Sequence, residues 1–239
     1  MQTLVVDAGN TNIKLGRFEN GQLSDVLRFD SQNGIEQLTG RIHSLSPEFI
    51  VISSVVAASV TRKILESHAG MIVSHTTPLP ISNKYKTPET LGMDRLCNAV
   101  GVASKMETEF GVAIDIGTCI KFDLVSKSEG YLGGSISPGI DLRYKSLNDY
   151  TENLPLLSNK SVTSIVGSDT KTSMQSGVIN GMRAEIEGLV HYYESQFQSL
   201  TFFMTGGDVN FFDIQGKNNI FAVENLTLYG LFEIYKHNA

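Results

Sequence analysis

The feature that most constrains this chain is a strand-and-turn pattern that occurs twice. Thr3-Leu-Val-Val-Asp7 is a short β-rich run that breaks at Ala8-Gly9-Asn10-Thr11-Asn12, and an extended pattern resumes over Ile13–Phe18. Asn20-Gly21 is the dipeptide of a tight hairpin turn and feeds a third extended run, Leu23–Phe29. Further along, Gly111-Val-Ala-Ile-Asp115 breaks at Gly117-Thr118, Ile120–Ser126 resumes, and Glu129-Gly130 turns into Tyr131-Leu132-Gly133-Gly134. Both passages read strand, Asp, any residue, Gly, small polar residue, strand, turn, strand. The joint recurrence points to a duplication, with related halves at 1–112 and 113–239 and no disordered linker between them.

The intervening segments are helical or buried strands. Ile35–Ser44, Ala58–Ser67, Leu96–Lys105, Ile140–Leu147, Lys171–Gln196 and Leu226–Lys236 have helical spacing, and Gly101 permits close packing in its helix. Phe49–Ser53, Met71–Ser74 and Phe202–Asp208 are strand-like, the last ending in a glycine turn. Strands and helices alternate throughout, which sets the class as α/β.

Composition excludes several partners. A net charge of -6 without a dense basic run argues against nucleic acid. The longest apolar runs are strand-sized, so no membrane span is expected, and Met1 leads directly into a strand with no room for a signal peptide. The 2 cysteines, Cys97 and Cys119, lack CxxC spacing and read as reduced thiols of a cytoplasmic protein. The 5 histidines are scattered, and no P-loop, GxGxxG, HExxH or GxSxG motif occurs.

The paired turns carry the chemistry. Glycines at 9 and 117 let backbone N–H groups approach phosphate closely, Thr11 and Thr118 offer hydroxyl donors, and Asp7 and Asp115 at strand ends suit Mg²⁺ or its water shell. Thr205-Gly206-Gly207-Asp208 is a third glycine turn, placed either to approach an adenosine or to end its strand. Asp94 beside Arg95, in the loop that closes a proline-bearing segment, has two readings. It suits the positive end of a helix, and it suits a general base with a neighbouring cation for an anionic substrate.

Asp7-Ala-Gly-Asn-Thr-Asn12, Gly92-Met-Asp-Arg95, Asp115-Ile-Gly-Thr118 and Gly133-Gly-Ser-Ile-Ser-Pro-Gly139 together resemble the ordered motifs of type III pantothenate kinases. Gly167-Ser-Asp-Thr170, Ser176-Gly177, Thr205-Gly-Gly207 and Leu226-Thr-Leu-Tyr-Gly230 continue the resemblance to the closing helix. It implies a duplicated actin-like (ribonuclease H-like) fold, two halves each with a mixed five-stranded sheet and helices, and usually a homodimer. The implied reaction is ATP-dependent phosphorylation of pantothenate to 4′-phosphopantothenate, the first step of coenzyme A biosynthesis, with Mg²⁺ and a monovalent cation, K⁺ or NH₄⁺. By motif position Asp7, Ala8, Gly9, Asn10, Thr11, Asn12, Ile13 and Lys14 form the ATP phosphate loop, Thr118 meets the nucleotide and Asp115 holds the monovalent cation. Tyr85, Gly92, Met93, Asp94, Arg95 and Thr170 line the pantothenate site, with Asp94 as proton acceptor. The chain departs from the family pattern at Cys119-Ile120-Lys121, where Lys121 either contacts phosphate or faces solvent. Taken alone, Tyr85 also suits an amphipathic loop and Thr170 a helix N-cap. A kinase for another hydroxylated metabolite, such as an amino sugar, and a non-catalytic regulator on the same fold are the alternatives. The dimer is expected through the Ala184–Gln196 region, with Leu189, Val190, Tyr192, Tyr193 and Phe197 as its apolar residues.

Overall fold

The computed structural model describes residues 2–9, 11–54, 65, 68–158, 164–212 and 219–239. The helix expected over 58–67 lies outside the described residues, apart from Leu65.

The first sheet contains β1 (Gln2–Ala8), β2 (Asn12–Glu19), β3 (Gln22–Asp30), β4 (Phe49–Ser54) and β5 (Gly70–Ile72), in the order β3-β2-β1-β4-β5. β1 pairs antiparallel with β2 and parallel with β4, and β4 pairs parallel with β5. Asn20 and Gly21 both have positive φ, 50° and 83°, which gives the β2–β3 hairpin the twist its strands need. The second sheet contains β6 (Phe110–Ile116), β7 (Cys119–Ser126), β8 (Gly130–Pro138), β9 (Leu200–Thr205) and β10 (Ile220–Ala222). Its order, β10-β9-β6-β7-β8, reproduces the first sheet strand for strand, with β6, β9 and β10 parallel. β1 and β6 even share one burial pattern along their seven residues. β10 was not anticipated: three residues carry too little periodicity to stand out, and the strand is defined by its pairing to β9.

Five α-helices, with short 3-10 helices at Pro88–Thr90 and Val209–Phe211, complete the described elements: α1 (Ile35–Leu45), α2 (Met93–Ala103), α3 (Ile140–Asp149), α4 (Thr170–Gln196) and α5 (Leu226–Asn238). α2 begins earlier than its apolar spacing suggested, so Met93, Asp94 and Arg95 lie in its first turn rather than in a loop. The described residues form two compact units. One comprises 1–106, 125–133 and 225–239, and the other 107–124 and 134–224. Compactness therefore follows a different partition from the repeat: α5 belongs with the first sheet, and a cut at 112 would fall inside β6.

In the first unit, strand alternation sorts β1 onto two cores. Leu4, Val6 and Ala8 join Ile13, Leu38, Ile42 and Ile50 on the α1 side. Val5 joins Phe18, Val51, Cys97, Val100, Leu228 and Leu231 on the side of α2 and α5. The period of two puts Asp7 on that second side as well. There Phe18 stacks on Phe232 with ring centroids 4.0 Å apart. α5 crosses α2 with Gly230 against the Cys97 carbonyl, where a Cβ would stand 1.7 Å from the oxygen. Gly101 lies against Leu226 in the same crossing, as its sequence suggested, and the buried Thr227 hydroxyl donates to Asn98 Oδ1 at 2.8 Å. In the second unit Glu185 of α4 accepts from Ser137 and Arg143, tying β8 and α3 to the long helix.

Candidate active site

The first phosphate turn follows β1. Gly9 N donates to the Asn12 carbonyl at 3.1 Å, and Ser31 holds the turn from β3, its hydroxyl donating to Gly9 O at 2.8 Å and its N–H to Thr11 O at 3.2 Å. Thr11 and Asn12 are exposed, whereas Ala8 and Ile13 are core residues that can offer a nucleotide only their backbone. Asn10 lies outside the described residues. Asp7 and Lys14 are direct cross-strand partners, so their side chains share a face.

Asp7 is not isolated. Burial pushes the Cys97 thiol well above its ordinary range, and the charges of Asp7 and then Asp94 push it further, against a hydrogen bond with Ser53 that pulls it down. The thiol is therefore neutral and no nucleophile. It also reports a geometry: the carboxylate at the end of β1 and the carboxylate at the start of α2 act on one buried group.

The α2 start is built around Asp94. Gly92 O accepts from Arg95 N at 3.1 Å and Leu96 N at 3.2 Å, and Asp94 Oδ1 accepts from Arg95 N at 2.9 Å. A Cβ on Gly92 would come within 2.6 Å of that Oδ1, so the carboxylate occupies the space a side chain at 92 would need. Asp94 is thus the acidic residue of a helix N-terminus, one of its two readings, and the same half-buried placement serves a base.

Arg95 is only 4% exposed, with its guanidinium carbon 5.6 Å from the Tyr85 ring centroid. Tyr85 in turn stacks on Tyr131, centroids 6.0 Å apart. The loop carrying Tyr85 is fixed by Tyr131 N donating to Ser82 O at 2.8 Å and Lys84 N donating to Tyr131 O at 2.9 Å. So Tyr85, Gly92, Asp94 and Arg95 come together, and Tyr131 joins them unforeseen. Its signal was its place two residues before Gly133-Gly134, after the Glu129-Gly130 turn of the second repeat. Thr170 belongs to the other unit, exposed at the first position of α4. It is not the N-cap; Asp169 is, in a capping box with Thr172.

In the second unit three turns meet at the carboxyl end of β6. Gly117 N donates to Cys119 O at 3.1 Å, Gly139 N to Thr118 O at 3.0 Å, and Asp208 N to Ile116 O at 3.0 Å. Thr118 is exposed there. Lys121, left open between phosphate and solvent, does something else. Its Nζ stands 2.7 Å from Asp115 Oδ2, and both side chains are 15% exposed. Among the described residues no group of three or more His, Cys, Asp or Glu side chains forms a metal cage.

These turns, strand ends and glycines can be set against known proteins. A family model described as type III pantothenate kinase matches residues 3–192. The chain belongs to the type III pantothenate kinase family. A relative named type III pantothenate kinase from Christiangramia forsetii is 37% identical over 242 residues, covering 98% of each chain. Type III pantothenate kinases phosphorylate pantothenate with ATP in the first step of coenzyme A biosynthesis, so the chain is a phosphotransferase by family. Two solved structures share the fold. One from Campylobacter jejuni, described as a candidate Baf family transcriptional activator, has a TM-score of 0.64 at 22% identity over 98% of each chain. The activator of 2-hydroxyisocaproyl-CoA dehydratase from Clostridium difficile, with bound ADPNP, has a TM-score of 0.56 at 13% identity, covering 100% of this chain and 96% of that one. The fold is the duplicated actin-like α/β fold.

Proposed function

We propose that this chain transfers the γ-phosphoryl group of ATP to the primary hydroxyl of pantothenate, with Asp94 as the base. The observation that carries the reading is the α2 start, where a half-buried carboxylate is held over Gly92 beside Arg95, Tyr85 and Tyr131. As the new O–P bond forms, the hydroxyl proton passes to Asp94 and the bond from the γ-phosphorus to the bridging oxygen breaks, leaving ADP. Tyr85 presents a ring face and a hydroxyl to the acceptor. Arg95 and Thr170 are its cationic and hydroxyl donors, and Gly92 and Met93 line it. The 7–14 loop would cradle the phosphates through backbone N–H groups and Lys14, and Thr118 would donate to the nucleotide.

Mg²⁺ bound with ATP would neutralise charge on the transferring group. The donor set fits that ion, because Mg²⁺ takes one or two carboxylates plus phosphates and water, and the Asp7 carboxylate near the end of β1, beside the phosphate turn, would hold its shell. The resemblance also implies K⁺ or NH₄⁺ on Asp115. The Lys121 ammonium already stands on that carboxylate, and the two readings predict opposite responses to K⁺.

We read the family's homodimer and a cytoplasmic location as applying here. No helix among the described residues is long and apolar enough to cross a membrane. Of the apolar residues expected at a dimer face, Val190 is buried, Tyr193 stacks on Phe122, and Phe197 packs on Phe110. Leu189, half-buried, and Tyr192, at 65% exposure, are the residues left to support the dimer.

ADP release with MgATP and an acceptor panel tests the function. Pantothenate should drive release, whereas N-acetylmannosamine and an acceptor-free control should not. Release driven by the amino sugar alone would assign the site to a sugar kinase, and no release with any acceptor would favour a regulator.

A further inference from the structure

We propose that the Lys121 ammonium, fixed on Asp115, takes the place of the free monovalent cation, so that this kinase turns over without K⁺ or NH₄⁺. The inference rests on the kinase reading above. The residues present do not fit an added monovalent ion at Asp115. Its carboxylate already carries Nζ at 2.7 Å in a site where each partner is 15% exposed. A second cation there would set two positive charges on one carboxylate, with little solvent to screen them.

The lysine head group suits the exchange chemically. It is an alkylated ammonium with the charge of K⁺ and NH₄⁺, and it donates three hydrogen bonds to oxygens, as NH₄⁺ does and where K⁺ would be coordinated by their lone pairs. Being tethered, it is present at every turnover. β7 holds it one strand away from the end of β6, directly behind the Gly117-Thr118 turn.

The repeat gives a second, independent argument. Asp7-Ala-Gly is followed after the turn by Ile13-Lys14, and Asp115-Ile-Gly by Ile120-Lys121. In the first hairpin Lys14 is the cross-strand partner of Asp7, and in the second Lys121 is ion-paired to Asp115. An aspartate at the strand end with a lysine on the returning strand is thus a property of the duplicated unit. Lys121 therefore belongs to the phosphate turn and is no incidental surface charge.

The test uses the purified full chain at fixed Mg²⁺, ATP and pantothenate, with K⁺ titrated against choline and ammonium excluded. Wild-type turnover should change by no more than about twofold across the titration, while Lys121→Met should lose roughly tenfold or more in choline and regain it in K⁺ or NH₄⁺. Calorimetric binding of the Mg²⁺ complex of a non-hydrolysable ATP analogue supplies a readout apart from turnover. Affinity should be K⁺-insensitive in the wild type and K⁺-sensitive in Lys121→Met. A wild type activated tenfold or more by K⁺ overturns the proposal. So does a Lys121→Met protein that binds or turns over without any response to K⁺, or whose loss K⁺ and NH₄⁺ fail to restore. The wild-type titration decides by itself if the variant does not fold. The expected binding pattern without pantothenate turnover would instead refute the kinase reading and leave the cation assignment standing.

Discussion

The β1–β2 and β6–β7 hairpins start from the same strand. Gln2–Ala8 and Phe110–Ile116 share one burial pattern, four successive buried residues between half-buried ones, and each places an aspartate one residue before its end. Their surroundings then diverge. Asp7 faces the side of the first sheet covered by α2 and α5, where its charge and that of Asp94 act on Cys97. Asp115 is paired with Lys121 at an end of β6 where three glycine-bearing turns converge. A duplicated backbone has thus been given two chemical settings. In our reading the first serves phosphate and the proton-accepting carboxylate, and the second supplies a fixed cation.

The comparison can be broken most sharply at Asp94. Asp94→Asn should retain the fold and affinity for an ATP analogue while cutting kcat by roughly two or more orders of magnitude, as for a lost general base. Near-parental turnover with pantothenate would remove the base from the first setting. Acceptor charge comes next. Pantothenol, which replaces the carboxylate with an alcohol, should lose about tenfold to a hundredfold in kcat/KM, since a charge-assisted hydrogen bond is worth about 1.5–3 kcal/mol. Arg95→Leu should shrink that difference if Arg95 makes the contact. An undiminished difference would confine Arg95 to bracing Tyr85.

A smaller effect is expected from Gly92→Ala. The new methyl must displace the Asp94 carboxylate, whose oxygen would stand 2.6 Å away. Because a side-chain end yields more readily than backbone, thermal stability should hold, and kcat should fall by roughly tenfold through misplacement of the base. Wild-type kcat together with a large drop in Tm would show that Gly92 serves the helix start alone. Lys14→Met should have the mildest effect, raising KM for ATP by about tenfold or less, as expected for one partly exposed phosphate contact. Unlike Lys121→Met, it should gain nothing from K⁺. Rescue of both variants by K⁺ would erase the distinction between the two hairpins.

Much of this was legible in the residues. Asn20-Gly21 announced its turn because only a dipeptide tolerant of positive φ closes such a hairpin, and the two Asp-x-Gly breaks marked the strand ends that carry the turns. Boundaries and long-range partners were not. The start of α2 is set by Gly92 and Asp94 rather than by apolar spacing, so a reading by periodicity began the helix too late. The burial of Arg95 and the Tyr85–Tyr131 stack depend on a loop being fastened to β8, a contact with no local signature. Lys121 is the instructive miss. It looked like a departure from a motif, and only the pairing across β6 and β7, read beside Lys14 in the first hairpin, shows it as part of the repeat.

The central claim is a transfer to pantothenate, and product analysis tests it most directly. After incubation with MgATP and pantothenate, ³¹P NMR and mass spectrometry should show 4′-phosphopantothenate formed one-for-one with ADP, and almost none with Asp94→Asn over the same time. ADP formed without phosphorylated pantothenate, or phosphopantothenate made equally well by Asp94→Asn, would contradict the account.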